Sequence, residues 1–174
     1  DAGDATARII VPRQPSPTEQ FAADELQSYV EAISGATLVI GHEGDLVEQP
    51  RILIGNTRDG GAIAPIETDE QETFVVRTDG DDLVLRGASD RGTLYAGYDF
   101  LEQDLGCRWL GPGEAWEHIP QRADIEIGPI DRTESPDMKY RFLRMTFPAN
   151  EPSHHHDVLS WAQRSMINIG SGWL

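Results

Sequence analysis

Ser16-Pro17-Thr18-Glu19 is the stretch of this chain that leaves the backbone least choice. A hydroxyl at the N-cap, proline at the first helical position and a carboxylate three residues on satisfy open backbone N–H groups and favour the helix dipole. Ala22, Leu26, Tyr29, Val30 and Ile33 then recur on one face, and Gly35 after Ser34 supplies a left-handed stop. The spacing predicts a helix over Pro17–Ser34 with an apolar face that must be covered.

The surrounding sequence supplies strands to cover it. Arg8-Ile9-Ile10-Val11, stopped by Pro12, reads as an opening strand near one sheet edge, and Leu38-Val39-Ile40 and Arg51-Ile52-Leu53-Ile54-Gly55 as strands of a covered sheet. Residues 56–71 read as polar loop. Thr73 to Thr78, the turn Asp79-Gly80-Asp81-Asp82, and Leu83-Val84-Leu85-Arg86 form a hairpin. Ser89 can cap a second helix whose inward face is Leu94, Tyr98, Leu101 and Leu105, closed by Gly106. Cys107 to Leu110 continues as a strand, and Asp124-Ile125-Glu126-Ile127 alternates as a half-buried edge strand does.

From Gly128 to Asp137 the composition turns to Pro, Gly, Asp, Glu, Ser and Thr, that of an inter-domain linker. The organisation expected is therefore an α+β module over residues 1–130, a linker over 131–137, and a separate segment over 138–174. That last segment offers a strand-like Tyr140-Arg141-Phe142-Leu143-Arg144-Met145, a helix over roughly 157–166, and Ile167-Asn168-Ile169. One βαβ unit cannot bury both faces of its own sheet, so either the natural chain continues or this tail docks on the module.

Charge excludes several functions. The 174 residues carry 30 Asp and Glu against 14 Lys and Arg, a formal net charge of −16, so the surface repels phosphate backbones and anionic lipid heads. Nucleic acid and membrane are not expected partners, and no apolar run approaches the ~20 residues of a membrane span. The acidic excess between His42 and Asp82 reads as a solvated face rather than a cation site. Cys107 is the single cysteine, so no intrachain disulfide forms, and its apolar neighbours mark it as core. Asp1 to Ala7 lacks the charged and apolar regions of a signal peptide, which reads as a mature or trimmed start.

Several phrases carry a family resemblance. Ala22-Ala23-Asp24-Glu25-Leu26-Gln27-Ser28-Tyr29 with Ser34-Gly35-Ala36 resembles the first helix of the α-glucuronidase N-terminal domain of glycoside hydrolase family 67. It also resembles the second domain of family 20 β-N-acetylhexosaminidases. Ile52-Leu53-Ile54-Gly55-Asn56-Thr57, then Gly87-Ala88-Ser89-Asp90-Arg91-Gly92-Thr93-Leu94-Tyr95-Ala96, then Phe100-Leu101-Glu102 and Leu105-Gly106-Cys107-Arg108-Trp109, are similar in order and spacing to further segments of these modules. The resemblance spans roughly residues 8–127 and is nearest to large bacterial proteins carrying the module ahead of a barrel of unknown function.

The resemblance implies a small mixed β-sheet with two helices packed on it, hexosaminidase domain 2-like, followed by the truncated start of a (β/α)₈ barrel. It implies a secreted or periplasmic glycoside hydrolase acting on a polysaccharide or glycoconjugate, with the module bracing its own C-terminal barrel. Barrel enzymes draw catalytic groups from the C-terminal ends of several strands, so no catalytic residue is expected in a piece with about two. Tyr140-Arg141 resembles the first barrel strand, where related hexosaminidases carry a sugar-binding arginine, and residues 161–168 resemble the first barrel helix. Arg141 is thereby a candidate substrate-binding residue through its planar fork of donors, or else a structural ion-pair partner.

The remaining candidates have simpler readings beside the functional one. His154-His155-His156 in an extended segment would point in alternating directions and converge poorly on an ion without a further ligand such as Asp157. They therefore read as a barrel loop with a sugar-facing or exposed role rather than as a metal-binding domain, and no metal or cofactor is expected. Arg91 at a helix start needs a compensating partner, expected to be Asp90, Asp99 or the barrel. Trp109 and Trp116 are either a sugar platform, which would make the chain a stand-alone carbohydrate-binding module, or interface packing. No His-Glu-x-x-His sequence, phosphate-loop lysine or Cys-x-x-Cys pair occurs.

Overall fold

The computed structural model describes residues 5–45, 50–58, 66–142 and 152–168. Its elements run β1 (Arg8–Val11), α1 (Pro17–Ser34), β2 (Val39–His42), β3 (Arg51–Ile54), β4 (Phe74–Asp79), β5 (Asp82–Gly87), α2 (Asp90–Gln103), β6 (Arg108–Trp109), β7 (Glu117–His118), β8 (Asp131–Glu134) and α3 (Pro152–Arg164). The fold is α+β. Six strands form one mixed sheet in the order β2-β1-β3-β5-β4-β8, and β6 and β7 pair separately. β1 is parallel to both β2 and β3, and β3 to β5, whereas β4 is antiparallel to β5 and β8. The parallel pair β1–β2 needs a crossover longer than a tight turn, and α1 supplies it.

Alternation along the strands divides the sheet into two faces. Ile9, Val11, Ile52, Ile54, Phe74, Val76, Leu83 and Leu85 join the helices in the main core. Ile10, Leu53, Val75 and Val84 form a second buried cluster on the opposite face, with Ile66 packed against it. Helix α1 contributes Ala22, Leu26, Tyr29, Val30 and Ile33, as its periodicity predicts, and ends at Gly35 in the left-handed conformation. Helix α2 is buried from Gly92 through Leu101, far more than a one-face amphipathic pattern requires, because it lies against β4, β5 and α1. Cys107 is fully buried, and burial pushes its thiol up to about 11.

Three expectations change. Residues 131–134, expected as linker, are β8, whose Arg132 reaches Asp99 and Asp104 of the α2 end at 2.7 and 2.6 Å. An edge strand with one solvent-facing side can be polar throughout, which is why its composition mimics a linker. Residues 124–127, expected as an edge strand, lie outside both sheets; Ile125 packs on the core, so their alternation reflects a covering segment without a strand partner. The three histidines, expected in an extended loop, fall within α3. Proline at the start of the pattern, Pro152, is tolerated in a first helical turn and lets the helix begin earlier than the expected residue 157.

Residues 140–142 are outside any strand, and 143–145 of the expected strand lie outside the described residues. The same holds for Ile169. No helix among the described residues is long and apolar enough to cross a membrane.

Candidate functional site

Two of the phrases that carry the family resemblance contain glycine junctions, Gly55 just after β3 and Gly87 where β5 leads into α2. Ser16 and Glu19 form the full capping box: Ser16 N donates to Glu19 Oε2 at 2.9 Å, and Glu19 N donates to Ser16 Oγ at 3.1 Å. Glu19 is nevertheless buried, because its other oxygen accepts Asn56 N at 3.2 Å beyond the end of β3. Gly55, at φ 77°, makes this possible, since a Cβ there would overlap the Glu19 carboxylate. A Cβ on Gly87 would overlap the backbone of Gly92 and Thr93, so β5 can enter α2 this tightly only through glycine. Arg86, buried beside this junction, donates to the carbonyls of Gly55 and Thr57.

A second set of residues joins the module to the segment after β8. Tyr29 of α1 and Tyr98 of α2 both stand edge-on to Trp109, with ring centroids 5.6 Å apart in each pair. Trp109 Nε1 donates to Tyr29 Oη at 2.8 Å, Tyr29 Oη donates to Glu117 at 3.0 Å, and Tyr98 Oη donates to Glu25 at 3.0 Å. Burial pushes both phenols well above their ordinary range, so each remains a proton donor. Arg164 of α3 closes the cluster: Nε donates to Glu25 at 3.1 Å, Nη1 to Glu117 at 2.5 Å, and the guanidinium lies 5.4 Å from the Tyr29 ring centre. Trp161 Nε1 adds a 2.9 Å bond to the Trp109 carbonyl.

Glu72 organises the other end. It accepts Arg141 Nη2 at 2.6 Å, Arg91 Nη1 at 3.3 Å and Asn168 Nδ2 at 3.3 Å. Arg91 thus finds its compensating charge in Glu72 rather than in Asp90 or Asp99, because the loop before β4 lies over the α2 N-terminus. Arg141 also donates to the carbonyls of Met138 and Met166 at 2.6 Å each and lies 5.9 Å from the Tyr95 ring centre. Each of its side-chain nitrogens therefore has a protein acceptor, and its side chain is only 14% exposed.

The other candidates are not brought together. Trp109 is enclosed by tyrosines, whereas Trp116 is 57% exposed on a 3₁₀ turn. His155 and His156 are exposed on α3, and among the described residues no three His, Cys, Asp or Glu are placed to hold a metal. A groove of about 950 Å³ beside Glu72 is lined by residues that include Asp69, Glu70, Asp90, Lys139 and Tyr140. Glu25, Glu72, Glu117 and Arg164 were not singled out from the sequence. Glu25 and Tyr29 are one helical turn apart, which puts them on one face, but nothing in the sequence ties that face to Glu117 or Arg164.

Comparison with known proteins agrees with this architecture. A solved 4-O-methyl-α-glucuronidase of glycoside hydrolase family 115, with specificity for decorated arabinogalactans, matches 79% of this chain at a TM-score of 0.56 and 14% identity. A family 138 enzyme targeting pectin rhamnogalacturonan II matches 78% at a TM-score of 0.47 and 13% identity. The chain spans only 18% and 12% of the lengths of these two enzymes. No curated protein matches the sequence. The family described as the glycosyl hydrolase family 67 N-terminus matches residues 2–100, which include β1 through most of α2 and both glycine junctions, and the chain belongs to that family.

Proposed function

We propose that this chain is the non-catalytic front module of a secreted or periplasmic glycoside hydrolase, bracing a catalytic barrel that follows it and acts on a polysaccharide or glycoconjugate. Family membership supports the carbohydrate-active setting. The observation that carries the non-catalytic part is how the shielded carboxylates are used. Glu19 binds backbone amides, Asp82 binds Arg51, Asp99 binds Arg132, Glu72 binds Arg91 and Arg141, and Glu25 and Glu117 share Arg164. Glycoside hydrolysis needs one carboxyl to donate a proton and another to attack or activate water, and carboxylates fixed by guanidinium groups are poor candidates for either role.

In this reading the segment from residue 138 onward is the beginning of the barrel, and its docking on α1, β6 and β7 is the brace. Arg141 serves as an anchor, because contact with a sugar would require it to give up Glu72 or a carbonyl. Incubation of the 174-residue chain with a panel of aryl glycosides tests the assignment: no turnover is expected, and hydrolysis by this chain would refute it. Exposed Trp116 supports a second reading as a carbohydrate-binding module. Glycan-array binding lost in Trp116→Ala would favour that reading.

A further inference from the structure

Hairpin β6–β7 is anchored at its base and presents an aromatic ring at its tip. At the base, Trp109 meets Tyr29 and Tyr98 edge-on, and its carbonyl accepts Trp161 Nε1. The tip, residues 110–116, carries exposed Leu110 and Trp116. Its backbone is bonded on both sides of the indole: Leu110 N donates to the Trp116 carbonyl at 2.9 Å, and Trp116 N donates to the Gly113 carbonyl at 3.0 Å. Gly113, at φ 88°, makes the turn between them. Gly111 is buried against the indole, and a Cβ added to it would lie 3.2 Å from Trp116 Cγ and 3.3 Å from Cδ2.

An indole held in this way offers a flat apolar surface that loses little conformational freedom when a ligand covers it. A pyranose whose ring substituents are equatorial has axial C–H bonds on both faces, and such a face is the apolar partner an aromatic ring accepts. Charge narrows the choice further. Glu114 opens the turn before Trp116, and Asp157 Oδ2 comes within 3.5 Å of where a Gly113 Cβ would sit, so carboxylates flank the tip. Arg108, at the base, turns Nη1 to the carbonyls of Glu102 and Cys107. The chain as a whole carries a formal net charge of −16. A sugar bearing a carboxylate meets like charge at this tip, and a neutral one does not.

We propose that the hairpin tip binds neutral, β-linked glycan chains of the gluco or xylo type by stacking one ring on Trp116, and that Gly111 is the positioning residue that sets the indole. The inference deepens the carbohydrate-binding reading of Trp116 given above and rests on it, adding the glycan class and a residue that acts through the ring. Gly111 is not in the left-handed region, so a larger residue fits its backbone and moves the indole instead. A role for Trp116 in packing alone would leave glycan affinity indifferent to Gly111.

A nuclear magnetic resonance titration of the full chain tests this, following the indole N–H signal of Trp116, identified as the one lost in Trp116→Ala. Cellohexaose and xylohexaose are expected to shift it with a Kd on the order of 1 mM, and the β-1,4-linked glucuronate hexamer at least about tenfold more weakly. Trp116→Tyr, which keeps an aromatic face, should bind within about fivefold of the parent. Gly111→Ala and Gly111→Val should weaken binding by about threefold and about tenfold, with the rest of the spectrum unchanged. Equal or tighter binding of the glucuronate hexamer, or parental affinity in both Gly111 variants, would overturn this proposal and leave the carbohydrate-binding reading standing. No shift with any of the three glycans would overturn both.

Discussion

Helices α2 and α3 are of similar length, 14 and 13 residues, yet they belong to their surroundings in opposite ways. Helix α2 lies in a cage of sheet and helix, with every residue from Gly92 to Leu101 buried, including Asp99, which pairs with the partly exposed Arg132. Among its described side chains, helix α3 meets the module at Trp161, which donates to the Trp109 carbonyl, and at Arg164, which pairs with Glu25 and Glu117, while Val158 and Ala162 are its buried apolar residues. Burial of apolar area holds the first, and a few directed polar contacts hold the second. Stability gained from apolar area changes little with salt, whereas ion pairs weaken as salt screens them. The two regions should therefore respond to different perturbations.

The largest effect should come from the junction that lets α2 enter its cage. Gly87→Ala places a Cβ into the Gly92–Thr93 backbone and should cost about 3 kcal/mol or more, seen as a lowered urea midpoint or loss of folded protein. Next, Leu94→Ala in α2 should cost about 3 kcal/mol and Val158→Ala in α3 about 1 kcal/mol in parallel urea titrations. Equal costs would erase the distinction between the helices.

Arg132→Ala asks whether β8 belongs with the cage. It leaves Asp99, whose carboxyl burial already pushes upward, without its cation, and should cost about 2 kcal/mol. A cost near zero would return residues 131–134 to the status of a loosely attached linker.

Cys107 reports the cage from inside. Its thiol is raised from 9.0 to about 11, so the unfolded chain ionises first and stability is lost as pH rises from 9 through 11. Cys107→Ala should remove about 1 kcal/mol of that loss at pH 10, measured by denaturation at pH 8 and pH 10. In the parent chain a thiol reagent should react at the rate of module opening. Trp116→Ala, outside both regions, should shift stability by less than about 0.5 kcal/mol.

Much of the module was legible along the chain. The capping box, the left-handed Gly35 and the β4–β5 hairpin are local, since each is specified by residues within a few positions and appears where the spacing places it. The glycine-rich phrases were recognisable, but their reason was not. Gly55 answers to Glu19 and Gly87 to Gly92, pairs that meet only once a helix is laid against a strand end. The polar composition of residues 131–134 hid β8, because pairing on an edge uses backbone groups that every residue carries. Arg141 was visible as a candidate, but Glu72, Met138 and Met166 as its partners were not.

By itself the sequence determined which segments become helix and hairpin, the apolar faces they turn inward, and the family they belong to, because those depend on periodicity, caps and the order of short phrases. Only the tertiary structure decided which charges meet. Glu25, Glu117 and Arg164 are separated by up to 139 positions in the chain, and no local preference encodes a contact at that range. Such a cluster exists because packing two helices against one sheet brings their tyrosines to a common corner, where the carboxylates then require a cation.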